Sequence, residues 1–471
     1  MAPLMAAPCS DELNVRVVSR RLVKASDHPD LPHTEVFTVS NLDLIPNTYQ
    51  CSLLCVYPKP PAGDFAGVVA AFEAGLPSLL NHFVMLTGRI VTNPSSGLPE
   101  VHCLNQGAEL VVSEAGVPLR SLDWGLAEES MKRILLPFDE AVPLSVQLVS
   151  FACGGFSVSW STNNLVYDGN SLTRLVRTWS ELARSGAVDG VGVPSYDRSA
   201  LRPRDPPSYG AAVKEMFVPY DHRHLVNVLT AEDSFVERIY YVEARDLEML
   251  REKASTGSRR ASRVQALSAY LWKALAAQVA ASKRVSGADA TCRMGYWVDG
   301  RFRVKSPKLQ AAMRSYVGNV TPYVAGEASA EDLLRGSLAD VAGMVRKAIS
   351  SVDYDERIQE MVDWVEEHVR RQPGGMKVVE AASIGLGSPT ISQTVWASFP
   401  LDTDFGFGHA AMAMPTWPSE RLCSGNLVVT AHPGGNGSWL VTAYLWPRLV
   451  KALESDEPRI FKPLTADHLG V

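Results

Sequence analysis

Between Glu140 and Asp168 no residue carries a charge, and this run, Ala141 to Tyr167, constrains the fold more than any other stretch of the chain. It exceeds the roughly 20 residues that a membrane-spanning helix needs. Its internal chemistry points elsewhere. Pro143, Gly154-Gly155, a scatter of Ser, Thr162 and Asn163-Asn164 interrupt any apolar helix, and the apolar positions alternate as Val146, Leu148, then Phe156, Val158 and Trp160. Period-two alternation on either side of a Gly-Gly break predicts two buried strands joined by a tight turn.

Strands this apolar need a sizeable core around them. A chain of 471 residues, 46% hydrophobic and 20% charged, holds two or three domains without support from disulfides or metals. Its Gly and Pro are scattered rather than periodic, which excludes a collagenous, disordered or coiled-coil chain. A net charge of -6 argues against a nucleic-acid partner. Seven cysteines, an odd number with no CxxC, indicate neither a disulfide framework nor a zinc ribbon, and Cys51 and Cys55 fall on one face of one strand as ordinary buried thiols. His222-Arg223-His224 lacks a third ligand at metal spacing, so no metal site is expected. The start, MAPLMAAPCSDE, has no basic segment followed by a long apolar one, and the ending HLGV matches no common address signal. A cytoplasmic location is expected.

Strands and helices alternate irregularly, the pattern of mixed α/β architecture. Asn14 to Val23 reads as a strand, and Phe65 to Leu80 as an apolar helix interrupted near Pro77. After Asp168-Gly169 a helical period runs from Leu172 to Ala183, with Ser171 as its expected N-cap and Gly186 as its stop. Between about 186 and 210 the composition shifts to Gly, Pro and turn formers, which sets the expected organisation: domain 1–190, linker 191–212, domain 213–471. In the second half, Ser262 to Ala277 reads as an amphipathic helix. Two more helices open on capping boxes at Ser329-x-x-Asp332 and Asp353-x-x-Glu356, the second stopping at Pro373-Gly374-Gly375. Leu427 to Ala431 and Trp439 to Leu445 flank HPGGNG as a hairpin. No G-x-S-x-G elbow, Walker loop, dinucleotide fingerprint or HExxH occurs.

Two segments far apart in the chain stand out together: Asn164-Leu165-Val166-Tyr167-Asp168-Gly169-Asn170-Ser171 and Asp404-Phe405-Gly406-Phe407-Gly408-His409. With VVSRRLVKASD, VSNLDLI, MLTGRI, SRVQALSAYLWKA, WVDGRFRV, YVGNV and the T-x-W of Thr394-Val395-Trp396, they run in order along nearly the whole chain. In this the chain resembles the plant BAHD acyl-CoA-dependent acyltransferases, whose hallmarks are HxxxDG and DFGWG. The resemblance implies two similarly folded α/β domains of the chloramphenicol-acetyltransferase type with a channel between them. Acyl-CoA would enter as co-substrate, with no tightly bound cofactor, and an alcohol or amine acceptor would meet it there. The expected protein is a monomeric enzyme of plant specialised metabolism with no membrane span. In the family, the motif His at the channel centre removes the acceptor's proton, and nearby donors hold the oxyanion.

This sequence departs from the pattern where the chemistry is concentrated. Asn164 stands where the family carries His, and none of the ten histidines is followed by Asp at the fourth position. A carboxamide donates and accepts hydrogen bonds but takes no proton at physiological pH. Loss of a general base removes ~10²–10⁴ in rate. The resemblance assigns Asp168 and Arg301, the latter in Arg301-Phe302-Arg303, to a buried structural ion pair beside Gly169, and gives Asp404, Gly406 and Gly408 a structural role at a distance. His409 stands where Lys or Arg is common, with a surface loop as its ordinary reading and a surrogate base as the other. Thr394 and Trp396 match positions near the reacting carbonyl, as oxyanion donors or, for Trp396, as strand core. Ser262 and Asn319 are the expected coenzyme A contacts. Three functions remain in play: an acyltransferase with altered or reduced activity, a lyase-type enzyme using the same cavity, and a non-catalytic partner of wax or fatty-acid elongation.

Overall fold

The structure, a computed structural model, describes residues 13–27, 35–45, 50–188, 193–220, 227–230, 235–282, 290–372, 376–416 and 423–471. The charge-free run forms two antiparallel strands, Leu144–Phe151 and Phe156–Asn163. Gly154 closes the turn between them at φ 81°, in the left-handed region that glycine enters without strain. These strands sit inside a six-stranded sheet, in the order Val15–Val23, Ala108–Ala115, Leu144–Phe151, Phe156–Asn163, Gln50–Tyr57 and Met412–Thr416.

Both faces of that sheet are covered, which explains why the run tolerates no charge. Leu53, Val146, Leu148, Val158 and Trp160 pack with the helices Phe65–His82 and Gly169–Ser185. On the other face Leu54, Val56, Val149 and Phe151 meet Trp124, Met131, Ile239 and Leu440. An ionised side chain pointing either way would lose its water with nothing to replace it.

A seven-stranded mixed sheet organises the second half, in the order Tyr323–Ser329, Thr291–Trp297, Thr390–Val395, Ser424–Ala431, Trp439–Leu445, Val236–Val242 and Lys462–Pro463. Its core is built with the helices Arg263–Ala280, Leu338–Ser350 and Tyr354–Val365. The architecture is thus mixed α/β, two large sheets each flanked by helices, with a three-stranded and a two-stranded sheet beside them among the described residues. One strand crosses over: Met412–Thr416 leaves the second half and pairs antiparallel with Gln50–Tyr57.

Local details depart from expectation at three places. The helix Phe65–His82 runs through Pro77 without a break, because Phe72, Leu76, Leu79 and Leu80 anchor it on both sides of the missing N–H. Asp168, not Ser171, caps the helix Gly169–Ser185, while Gly186 ends it at φ 70°. The helix opened by Ser329 lasts only Ala330–Arg335, and a new capping box at Ser337 starts Leu338–Ser350. The expected helix at Ser262 is Arg263–Ala280, with a Ser262–Gln265 capping box, and the expected hairpin is Ser424–Ala431 with Trp439–Leu445. His222-Arg223-His224 and Pro373-Gly374-Gly375 lie outside the described residues.

Candidate active site

The last buried strand of the charge-free run ends at Asn163, and its side chain begins a tight turn by accepting the Leu165 N–H at 2.9 Å. The Asn163 carbonyl then accepts from the Val166 and Tyr167 N–H groups at 3.0 and 3.2 Å. Asn164 therefore sits on a turn fixed from both ends, half-buried, at the wall of a cavity of about 1050 Å³. Four residues on, the Asp168 carboxylate caps the following helix, accepting from the Ser171 N–H at 2.9 Å and the Ser171 hydroxyl at 2.8 Å.

Asp168 is also the point where the two halves are pinned together. Arg301, in a short 3-10 turn Gly300–Phe302, places its guanidinium on both Asp168 oxygens, at 2.7 and 3.2 Å. The Val320 N–H adds a bond to Oδ2 at 3.2 Å. The same guanidinium reaches Asp299 at 3.2 Å and the carbonyls of Tyr316 and Gly318. Both side chains of the pair are sealed, at 2% and 3% exposure. Burial opposes the Arg301 charge, but Asp168 and Asp299 more than offset it and hold the guanidinium above its usual range. For Asp299, burial dominates and pushes the carboxyl up, against the pull of Arg301 and with the nearby Asp168 charge adding to the rise.

The remaining site residues divide by location. Thr394 and Trp396 follow one another on a face of the strand Thr390–Val395 and its exit, and both line the cavity. The Trp396 ring is buried, its indole N–H has no partner among the described residues, and the ring packs close against Gly169: a Cβ on that glycine would sit 2.7 Å from Cζ2. Residue 169 is glycine because the indole occupies the space a side chain would need. Ser262 lines the cavity from the exposed N-terminus of its helix, near Gln265. Asn319 also lines it, but is 2% exposed, and its amide donates to Asp43 Oδ1 at 3.0 Å and to the Asn164 carbonyl at 2.8 Å. Its bonds hold the Asn164 turn in place.

The second motif lies away from the cavity. Asp404 Oδ1 accepts from the N–H groups of Gly406 and Gly408 at 2.9 and 3.1 Å, and both glycines take positive φ, 95° and 86°. Phe405 stacks on Trp160 at 5.5 Å, and Phe407 meets the edge of Phe156 at 6.1 Å, so the segment fastens onto the core of the first sheet. His409 is exposed and outside the cavity wall. Sequence reasoning missed three cavity residues with chemical potential: Asp299, Glu380 and Asn170. Asp299 adjoins Arg301 in the quoted WVDGRFRV segment and could have been found there; Glu380 carries no local signal.

No histidine lines the cavity among the described residues. Cys51 does, but burial pushes its thiol up to about 12, so it is no nucleophile at neutral pH. Among the described residues no group of His, Cys, Asp or Glu could hold a metal ion, and no helix is long and apolar enough to cross a membrane. The cavity can bind, orient and donate hydrogen bonds, and among the described residues it offers no imidazole.

Comparison with known proteins agrees with this architecture. The rice (Oryza sativa subsp. japonica) putrescine hydroxycinnamoyltransferase 1 is 27% identical over 84% of this chain and 88% of its own. Agmatine hydroxycinnamoyltransferase 1 from the same plant is 26% identical over 92% and 93%. Among solved structures, vinorine synthase superposes with a TM-score of 0.69 at 21% identity, covering 96% of this chain and 99% of its own. A family model described as the Transferase family matches residues 13–459. The chain belongs to that family, the BAHD-type transferases whose co-substrate is acyl-CoA.

Proposed function

We propose that the protein transfers an acyl group, of the hydroxycinnamoyl kind, from acyl-CoA to an amine. The observation that carries this reading is Asn164 at the turn where a base is expected, with Asp168, Arg301 and Gly169 intact around it. An amine in its neutral form carries a free lone pair and attacks without a base, whereas an alcohol must lose a proton as it attacks. The lone pair forms the C–N bond at the thioester carbonyl, whose electron pair moves to oxygen. The Thr394 hydroxyl and the Trp396 indole N–H are the donors that would hold this oxyanion. Its collapse breaks the C–S bond, and coenzyme A leaves as a thiolate that takes up the proton released by the new C–N centre. Asn164 accepts an N–H of the amine and sets its direction of attack. Ser262, exposed at its helix N-terminus on the cavity wall, is a coenzyme A contact. Six described cysteines are unpaired, which fits a protein working in the reducing cytoplasm.

The test is incubation of the purified protein with hydroxycinnamoyl-CoA thioesters and matched panels of amines and alcohols, with mass detection of amide and ester. Amide is the expected product. Firm coenzyme A binding without consumption of any acyl-CoA, or consumption only with alcohols, would refute the reading.

A further inference from the structure

Ser262 opens the helix Arg263–Ala280 with a capping box: its hydroxyl accepts the Gln265 N–H at 3.1 Å, and its own N–H donates to Gln265 Oε1 at 3.0 Å. With Val264 and Gln265 it also lines the cavity. The residues leading into it read Arg259-Arg260-Ala261-Ser262, and an Arg-Arg-x-Ser sequence occurs once in the chain. Two guanidinium groups, one small residue and a hydroxyl form the charge pattern that arginine-directed serine kinases read through carboxylates of their substrate cleft.

The fold presents this sequence to solvent. Thr256 to Arg260 and Ser262 are exposed, in the connection between the helices Ala244–Lys253 and Arg263–Ala280. The Arg260 guanidinium is 69% exposed and meets Glu248 at 3.3 Å, while Arg263 takes the same carboxylate more closely at 2.7 Å. Ala261 is buried, its N–H donating to the Ser255 hydroxyl and its carbonyl accepting from Arg251, both at 2.9 Å. Drawing the segment into an extended form breaks those two bonds and the capping box. It leaves in place the buried face of the helix, which begins at Ala266.

We infer that Ser262 is a modification site, phosphorylated by an arginine-directed kinase, and that the phosphate closes the cavity to coenzyme A. This rests on the reading of Ser262 as a coenzyme A contact. In the transfer the Ser262 oxygen bonds to the γ-phosphorus of ATP and the bond from that phosphorus to the β–γ bridging oxygen breaks. ADP leaves, and the hydroxyl proton passes to the catalytic aspartate of the kinase. The product carries about -1.5 to -2 charge at pH 7. At the start of a helix that charge faces the N–H groups of the first turn, so the Gln265 N–H keeps an acceptor and the fold is retained. Coenzyme A brings phosphates of its own against the same charge, and the hydroxyl it would contact is esterified. The modification acts on acyl-CoA binding and leaves Asn164, Thr394 and Trp396 as they are.

The purified protein is incubated with ATP and the catalytic subunit of cyclic-AMP-dependent protein kinase as probe, and tandem mass spectrometry locates the phosphate. Lys283-Arg284-Val285-Ser286, outside the described residues, is the competing sequence. Phosphate is expected on Ser262 and absent from it in the double variant Arg259→Ala, Arg260→Ala, whose acyl transfer without kinase matches the wild type. Calorimetric titration with coenzyme A is expected to give a Kd at least tenfold higher after phosphorylation, restored by phosphatase, with no fall in melting temperature. Phosphate at Ser286 alone or nowhere, or phosphate on Ser262 with unchanged Kd, would overturn the inference. A raised Kd accompanied by a lower melting temperature, the mark of a broken cap, would overturn it too. Untreated protein that binds coenzyme A but forms no amide would overturn the proposed function and not this inference; untreated protein that binds no coenzyme A would overturn both.

Discussion

Replacing Gly169 by alanine tests how the active-site turn is held. An added Cβ would lie 2.7 Å from Trp396 Cζ2, 2.9 Å from Cε2 and 3.2 Å from Nε1. Carbon atoms in contact sit about 3.5–4.0 Å apart, so the ring must withdraw by about 1 Å or the turn must move by as much. Neither gives easily. The indole is buried, packs on Phe399 at 5.6 Å, and its backbone N–H is tied to the Val429 carbonyl at 2.7 Å. The turn is pinned by Asp168 and Asn319. Overpacking of this kind costs about 1–3 kcal/mol, and the better helix propensity of alanine returns at most ~1 kcal/mol. Stability should therefore fall by between about 0 and about 3 kcal/mol, while a displacement of 1 Å at the reacting centre lowers kcat by about 10²-fold. The assay is kcat for amide formation beside a denaturant melt of the same preparation. Adding Trp396→Phe, whose smaller ring vacates the contested space, should recover the stability. A Gly169→Ala protein with wild-type kcat and melting curve would refute the claim that the indole dictates glycine at this position.

Asn164→His should raise turnover with poor nucleophiles such as alcohols by ~10²–10⁴, with a rate that rises through the imidazole range near pH ~6.5; no gain at any pH would show that residue 164 does not face the acceptor. In the wild type, kcat/KM for an aliphatic amine should instead climb about tenfold per pH unit below the amine's own pKa, because only the neutral form attacks. Arg301→Met leaves Asp168 buried with only neutral partners and should cost about 3–5 kcal/mol in denaturant unfolding, with Asp168→Asn far less than additive to it; additive losses would mean that the two do not act as a pair. Glu380→Gln should stabilise the ligand-free protein, and more so as pH rises. Because burial raises the native carboxyl, its contribution is complete below the unfolded value near ~4.3 and is lost as pH climbs through the native one, a loss that glutamine cannot show. A melting difference that stays constant from pH 5 to pH 8 would contradict this.

What was legible in the sequence follows the range of the forces involved. The charge-free run announced its strands because double-sided burial acts residue by residue. The Gly186 stop and the Ser262 capping box were visible because caps are local. Asp168 took the cap from Ser171 because the turn before it, closed by the Asn163 side chain, starts the helix earlier than the apolar period suggests. The crossing of Met412–Thr416 into the first sheet had no local signature, since its partner lies in Gln50–Tyr57. Asn319, expected as a coenzyme A contact, also donates to the Asn164 carbonyl, a bond made across the junction of the two halves that its sequence context did not reveal. Glu380 was silent for the same reason: its place on the cavity wall depends on the pairing of Val378–Glu380 with Phe217–Pro219, far away in the chain.

The same bookkeeping of bonds explains how a residue as central as 164 can change without disturbing the fold. The turn's shape rests on the Asn163 side chain, the Asp168 cap and the Asn319 amide, and the junction rests on Arg301. Each of these contacts is satisfied whether position 164 carries an imidazole or a carboxamide. None of these bonds uses the side chain at 164, so exchanging one for the other changes the capacity to take a proton without removing any of them. A site altered in this way retains its binding and orienting power, which supplies much of the rate enhancement in acyl transfer. On the proposed reading it loses access to acceptors that need a base during attack. On that reading the burden of nucleophilicity moves to the substrate.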